Sequence, residues 1–208
     1  MKKVYLIFLT SFLAGSFSLA VAQNYSANPD KTVILWEGKK VGGKHEGTIK
    51  LKSADIEMNY NRPVSGTVII DMTSIKDTDI KNEGMRKRLE DHLRSDDFFS
   101  VEKFPEAKFE ITGSEILNGG AIKIMGNITI KGITQPLEFV SDLTASEEAL
   151  IFTGHIDIDR TLFDVRYGST KFFDNIADSA IDDIFTLDYE LYLEKTTLYL
   201  PVRLPVWL

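Results

Sequence analysis

The sequence predicts an all-β protein: an extended, eight-stranded antiparallel barrel with one short helical insertion. Three observations predict it. Apolar and polar residues alternate with period two along almost the whole chain after residue 22. Turn signals such as Asn118-Gly119-Gly120 and Lys131-Gly132 separate the alternating stretches, and no helix lies between most of them, so neighbouring strands run antiparallel. A helical period appears in one segment, between Asp79 and Leu93.

The first 22 residues read as a cleavable signal peptide. Lys2 and Lys3 precede the apolar run Val4 to Leu13, and Ala20-Val21-Ala22 is an A-x-A cleavage site that leaves Gln23 as the first mature residue. A membrane anchor is the alternative, but Thr10, Ser11, Ser16 and Ser18 interrupt the run and no basic cluster follows it. The expectation is therefore a periplasmic or secreted protein.

The barrel is expected over 23–195. Ile34 and Trp36 share the first inward face, then Ile49 and Leu51 with Thr48, Lys50 and Lys52 opposite. Val68, Ile70 and Met72 form the third run, and Ala107, Phe109 and Ile111 the fourth. Ile122, Ile124, Ile128 and Ile130 alternate with Lys123, Asn127 and Thr129. Leu137 with Phe139, then Phe152, Ile156 and Ile158, supply the sixth and seventh. In the last, Phe185, Leu187, Tyr189, Leu191 and Leu193 face one way and Thr186, Asp188, Glu190 and Glu194 the other. The insertion places Met85, Leu89, His92 and Leu93 on one helical stripe, with Asp79 as its N-cap. Ser95 caps a following turn that carries Asp96, Asp97, Phe98 and Phe99. The apolar tail, 196–208, holds two prolines and is not a further central strand.

Closure into a barrel removes exposed strand edges. Eight strands enclose either a filled core or one small ligand, and the inward positions here are nearly all apolar. The 208-residue chain has no cysteine and a net charge of −7, which argues against disulfides, thiolate metal sites and a broad nucleic-acid surface. The Ser residues lie in no G-x-S-x-G elbow, and Gly42-Gly43-Lys44 falls in a hairpin rather than before a helix. Asp157 and Asp159 share a strand face that points to solvent, a weak basis for paired-carboxylate chemistry. The three histidines, His45, His92 and His155, form no close pair. A metal site would need His45 or His155 to meet acids such as Glu46, Asp157 or Asp159 in space, and none is expected.

The string His92-Leu93-Arg94-Ser95-Asp96-Asp97-Phe98-Phe99, then Phe104-Pro105-Glu106-Ala107-Lys108-Phe109, is distinctive. With Gly126-Asn127-Ile128-Thr129-Ile130-Lys131-Gly132-Ile133-Thr134 and Ile158-Asp159-Arg160-Thr161-Leu162-Phe163, it resembles the YceI-like family of exported lipid-binding proteins, in order from about Tyr25 to Glu194. Gly43-Lys44-His45-Glu46-Gly47 and Arg166-Tyr167-Gly168-Ser169 are similar to one branch of it; Lys31-Thr32 departs from its usual His-Ser pair.

The resemblance implies a lipocalin-like barrel whose apolar tunnel binds a polyisoprenoid or similar long-chain amphiphile, such as a polyprenyl chain or an isoprenoid quinone, without catalysis and without another cofactor. The wall expected for such a tunnel is Trp36, Ile70, Leu89, Phe98, Phe99, Phe109, Ile124, Ile128, Phe139, Phe152, Ile156, Phe163, Phe185, Leu187 and Tyr189. His92, Arg160, Tyr167 and Lys171 are the polar candidates at its mouth. Arg160 is alternatively a loop anchor bonded to Asp164. A carrier of this kind implies transient membrane contact; pairing of two barrels through Tyr192 or the tail is a further expectation. The rival readings are an interaction module with a filled barrel and no ligand, and an enzyme acting on an exported lipid or glycan, which the apolar inward positions disfavour.

Overall fold

The computed structural model describes residues 23–146 and 148–196. The signal segment 1–22 and nearly all of the tail, 197–208, lie outside the described residues. Nine strands and one α-helix run in chain order: β1 (Gln23–Ala27), β2 (Val33–Lys40), β3 (Gly43–Asn59), β4 (Arg62–Asp77), α1 (Glu83–Arg94), β5 (Glu106–Ile116), β6 (Ile122–Ile130), β7 (Ile133–Ala145), β8 (Ala149–Asp159) and β9 (Ile181–Lys195). Sequential strands β2 to β9 pair antiparallel, and β9 returns to β2, so eight staves close on themselves. Each of the eight expected runs falls in one of these strands.

The ninth strand was not expected. β1 pairs with the far part of β3 and the end of β9, beyond where β2 leaves both. β1 and β2 are thus one stave, broken at Asn28–Thr32. There Asn28 Oδ1 accepts from the N–H groups of Asp30 and Lys31, and its carbonyl from the Thr32 hydroxyl, an Asx-type turn that competes with the ladder. A five-residue strand reading Gln-Asn-Tyr-Ser-Ala carries too few apolar positions to announce itself.

Bulges in β3 and β4 reset the alternation. In β3 the inward positions run Gly47, Ile49, Leu51 and then Ala54, Ile56, Met58, with the register shifting between Leu51 and Ser53. In β4 they run Val68, Ile70, Met72 and then Ile75 and Asp77. The change comes after Asp71, whose carboxylate accepts from the backbone and hydroxyl of Thr73 while its carbonyl takes the Ser74 hydroxyl. An extra residue in one strand turns every later side chain to the other face, so Asp77, which the earlier alternation would place outside, points in.

The helix differs from expectation at its start. α1 is capped by Asn82, whose Oδ1 accepts from the Met85 N–H at 3.0 Å, and not by Asp79. The later start leaves Met85 in the first turn, exposed rather than on the buried stripe. Ser95 ends α1 and, as expected, caps the next turn by accepting from the Asp97 N–H. Arg94, which donates to the Ile75 carbonyl, and Glu90, which accepts from the Asp77 N–H, fasten α1 to the end of β4.

Two apolar clusters line the two halves of the barrel. One gathers Met58, Ile122, Phe152 and Leu193 near β1. The other gathers Met72, Ile75, Val101, Ile130 and Phe163 beneath α1.

Candidate functional site

These clusters wall an interior that is hollow. An outer chamber of about 520 Å³ opens beside α1, within the range of small-molecule sites. An inner chamber of about 120 Å³ lies deeper. Ile34, Ile70, Ile128, Ile158 and Leu187, one each from β2, β4, β6, β8 and β9, line both chambers. They form a ring of branched side chains where the two chambers meet.

Of the expected wall residues, Trp36, Leu89, Phe98, Phe99 and Phe185 line the outer chamber. Phe109, Ile124, Phe139, Phe152, Ile156 and Tyr189 line the inner one, and Ile70, Ile128 and Leu187 line both. Phe163 does not: it is buried under a 3-10 turn (Arg160–Phe163) and packs the cluster behind the wall. Ile75, Leu93 and Ile181 also line the outer chamber. The helical period carried Leu93, whereas Ile75 is turned in by the β4 bulge, which no alternation signals.

Aromatic rings lie flat along the wall because the facing residue has no side chain. A Cβ on Gly126 would meet Phe109 at 2.5 Å, and one on Gly154 would meet the Tyr189 hydroxyl at 2.6 Å. Each ring covers a glycine instead of crossing the lumen, and Phe109, Phe139 and Tyr189 then pack edge to face or tilted in series at 5.4 and 6.0 Å. The Tyr189 hydroxyl is buried with no hydrogen-bond partner among the described residues, and burial pushes its pKa up to about 12.

The polar candidates divide. His92 stands at the mouth with its ring edge-on to Phe98 and Tyr167, at 4.9 and 4.6 Å, and its Nε2 lies 3.3 Å from Asp97. Tyr167 lines the same opening, half exposed. Arg160 also faces the chamber, but it is 3% exposed and its guanidinium donates to the carbonyls of Val165, Ile181 and Asp182 at 2.8–3.0 Å. It anchors a loop through carbonyls, not through Asp164, which pairs with Arg166. Burial lowers the Arg160 pKa from its usual value, and Asp183 at 3.8 Å opposes that shift. Lys171 lines neither chamber. It lies on the outside, bonded to Asp159 at 2.8 Å and to Asp183 at 3.3 Å, and the Asp159 bond raises its pKa.

His155 meets Asp188 and Asp157 on the outer face of β8 and β9, one acid on each ring nitrogen. His45, on the chamber rim, meets Asp77 and Asp79 rather than Glu46.

A family model for the YceI-like domain matches residues 25–193. The chain belongs to the YceI-like family. Among curated relatives, a UPF0312 protein of Yersinia pestis (strain Pestoides F) is 43% identical over 53 residues, covering 26% of this chain and 27% of that protein. A UPF0312 protein of Shewanella sp. (strain ANA-3) is 31% identical over 85 residues, 41% of this chain and 42% of that one. The chain thus aligns with less than half the length of these relatives. The YceI-like barrel is shared with solved structures: Burkholderia cenocepacia BcnA has a TM-score of 0.66 at 20% identity, over 80% of this chain and 98% of that one. A polyisoprenoid binding domain from Saccharophagus degradans, implicated in plant cell wall breakdown, has a TM-score of 0.59 at 13% identity, over 83% and 98%. At these identities the likeness is one of fold.

Proposed function

We propose that this YceI-like protein is an exported, non-enzymatic carrier or sequestering protein that holds a polyisoprenoid or similar long-chain amphiphile in its bore. The observation that carries the reading is the pair of chambers laid end to end, whose inner part is walled almost wholly by hydrocarbon. Burial of hydrocarbon yields about 0.8 kcal/mol per CH₂. A chain of about twenty carbons gains on the order of 15 kcal/mol gross, against association and ordering costs of roughly 4–15 kcal/mol. Such a bore discriminates by length and shape. The polar head would remain at the mouth, near His92 and Tyr167.

Four further observations support binding over catalysis, loading from a membrane, and export. Arg160 is committed to three carbonyls, so it holds the mouth rather than a reacting group. Tyr167, Phe172 and Phe173, on the loop that reaches the mouth, are 43–49% exposed and offer an apolar edge to a bilayer. The name of the Saccharophagus domain points to the same ligand class. The signal-like N-terminus accords with export.

The test is extraction. Protein purified from its native host without detergent is expected to carry one long-chain lipid per chain by mass spectrometry. Phe109→Asp, and Leu187→Trp as a charge-neutral plug of the shared ring, are expected to abolish it, whereas Asp157→Asn leaves it intact. Protein that carries no lipid and takes up no added polyprenyl chain, or plugged variants that bind as well as the parent, would overturn the reading.

A further inference from the structure

The bulge in β4 places a carboxylate where a barrel strand normally puts hydrocarbon. Asp77 is 2% exposed, and its side chain is fully covered. Oδ1 accepts from the Ile80 N–H at 2.9 Å, and the Asp77 N–H donates to Glu90 of α1, so the residue is held from both sides. Among the described residues Oδ2 has no hydrogen-bond donor. It points toward His45, whose Nδ1 is 3.9 Å away across the β3–β4 ladder. Asp79, two residues on, turns back to accept from the Glu46 N–H and brings Oδ2 to 3.2 Å from the same ring nitrogen. One atom from each of the three residues lies within 4.8 Å of the other two.

A buried carboxylate oxygen without a donor is costly, more so beside a second carboxylate. Ligand atoms around a tetrahedral ion with bonds of about 2.0–2.2 Å are about 3.4 Å apart, and the His45 contacts of 3.2 and 3.9 Å bracket that spacing. Burial, and then Asp79, hold the Asp77 pKa above the usual carboxylate range. Burial pushes Asp79 the same way, but its neighbours Asp77, the Glu46 N–H and His45 outweigh it and its pKa is lowered.

The His155 cluster has the same composition and the wrong geometry. Its two acids bond opposite ring nitrogens, and all three groups are more than half exposed.

We propose that His45, Asp77 and Asp79 form a binding site for a divalent transition-metal cation at the rim of the outer chamber. One imidazole and two carboxylates are a donor set that suits Zn²⁺ or Mn²⁺, with water completing the coordination. The site does not depend on what fills the bore.

Chelator-treated protein titrated calorimetrically with Zn²⁺ at neutral pH tests it. One ion per chain is expected, with at least about tenfold weaker binding in His45→Gln and in Asp79→Asn, a loss no smaller than that for outer partners of metal ligands. His155→Gln binds as the parent does. Asp79→Asn retains an oxygen to accept from the Glu46 N–H, and circular dichroism verifies that both variants fold. No saturable binding below about 1 mM, the scale of a weak complex, or binding that survives both variants, overturns the proposal. Equal affinity for Mg²⁺, with no loss in His45→Gln, also overturns it.

Discussion

The two ends of this barrel are made from the same kinds of residue and behave as different materials. Near β1, Met58 and Leu193 are 0% exposed, and β1 covers the gap that β2 leaves between β3 and β9. Those two side chains are packed as a protein interior is packed. Beneath α1, no helix residue is fully buried although the helix is amphipathic. Leu89 and Leu93 line the chamber, and Leu93 also packs on the cluster below it. A closed end supplies stability; an end whose apolar surface lacks partners leaves that surface for a ligand. The difference comes from what covers each end: strands with a complete ladder in one case, a twelve-residue helix held by a few polar bonds in the other.

Substitutions should separate the two ends. The largest effect is expected at the closed end: Leu193→Ala should destabilise the fold by about 2–5 kcal/mol, the range for fully buried leucines, read from denaturant midpoints with lipid affinity per folded molecule unchanged. Leu89→Ala should show the reverse, a stability change within about 1 kcal/mol and weaker lipid binding; equal stability losses at both ends would mean that the mouth is packed too. A smaller effect is expected for Asn82→Ala, which removes the N-cap at about 1 kcal/mol. Hydrogen exchange should then speed up in α1 while the β3–β4 ladder stays protected.

The smallest effect concerns His155, on the outer face and away from both ends. Its bond to Asp188, then that to Asp157, raises its pKa above the usual 6.5. A raised folded value means that the contribution is fully present below about 6.5 and is lost as pH rises through the folded value. With the ring 55% exposed the contribution is slight. NMR titration of the ring protons should give a value above 6.5 that falls back in Asp188→Asn.

Much of the fold was legible because barrel strands obey a short rule. Period-two alternation located β2 to β9, and the inward residues of seven of them supplied most of the wall: Trp36, Ile70, Phe109, Ile128, Phe139, Phe152 and Leu187 all face the bore. Phe163 and Lys171 were misplaced because they come after β8 in irregular chain, where no period says which way a side chain points. The helix start was misread because Asp79 and Asn82 are both competent caps, and Asp79 is drawn away by His45 and the Glu46 N–H.

The chain's own periodicity determined the barrel, its apolar lining and the existence of a helix, because these depend on residues two or about four apart. Tertiary structure alone decided three things. It set how far the lining falls short of filling the lumen, it joined β1 to β2 as one stave, and it turned Asp77 inward beside His45. Each depends on register between segments distant in sequence. The bulge in β4, where five steps from Asp71 to Lys76 lie opposite two from Thr48 to Lys50, is an odd excess that reverses the facing of the side chains beyond it, and nothing local to Asp77 records that reversal.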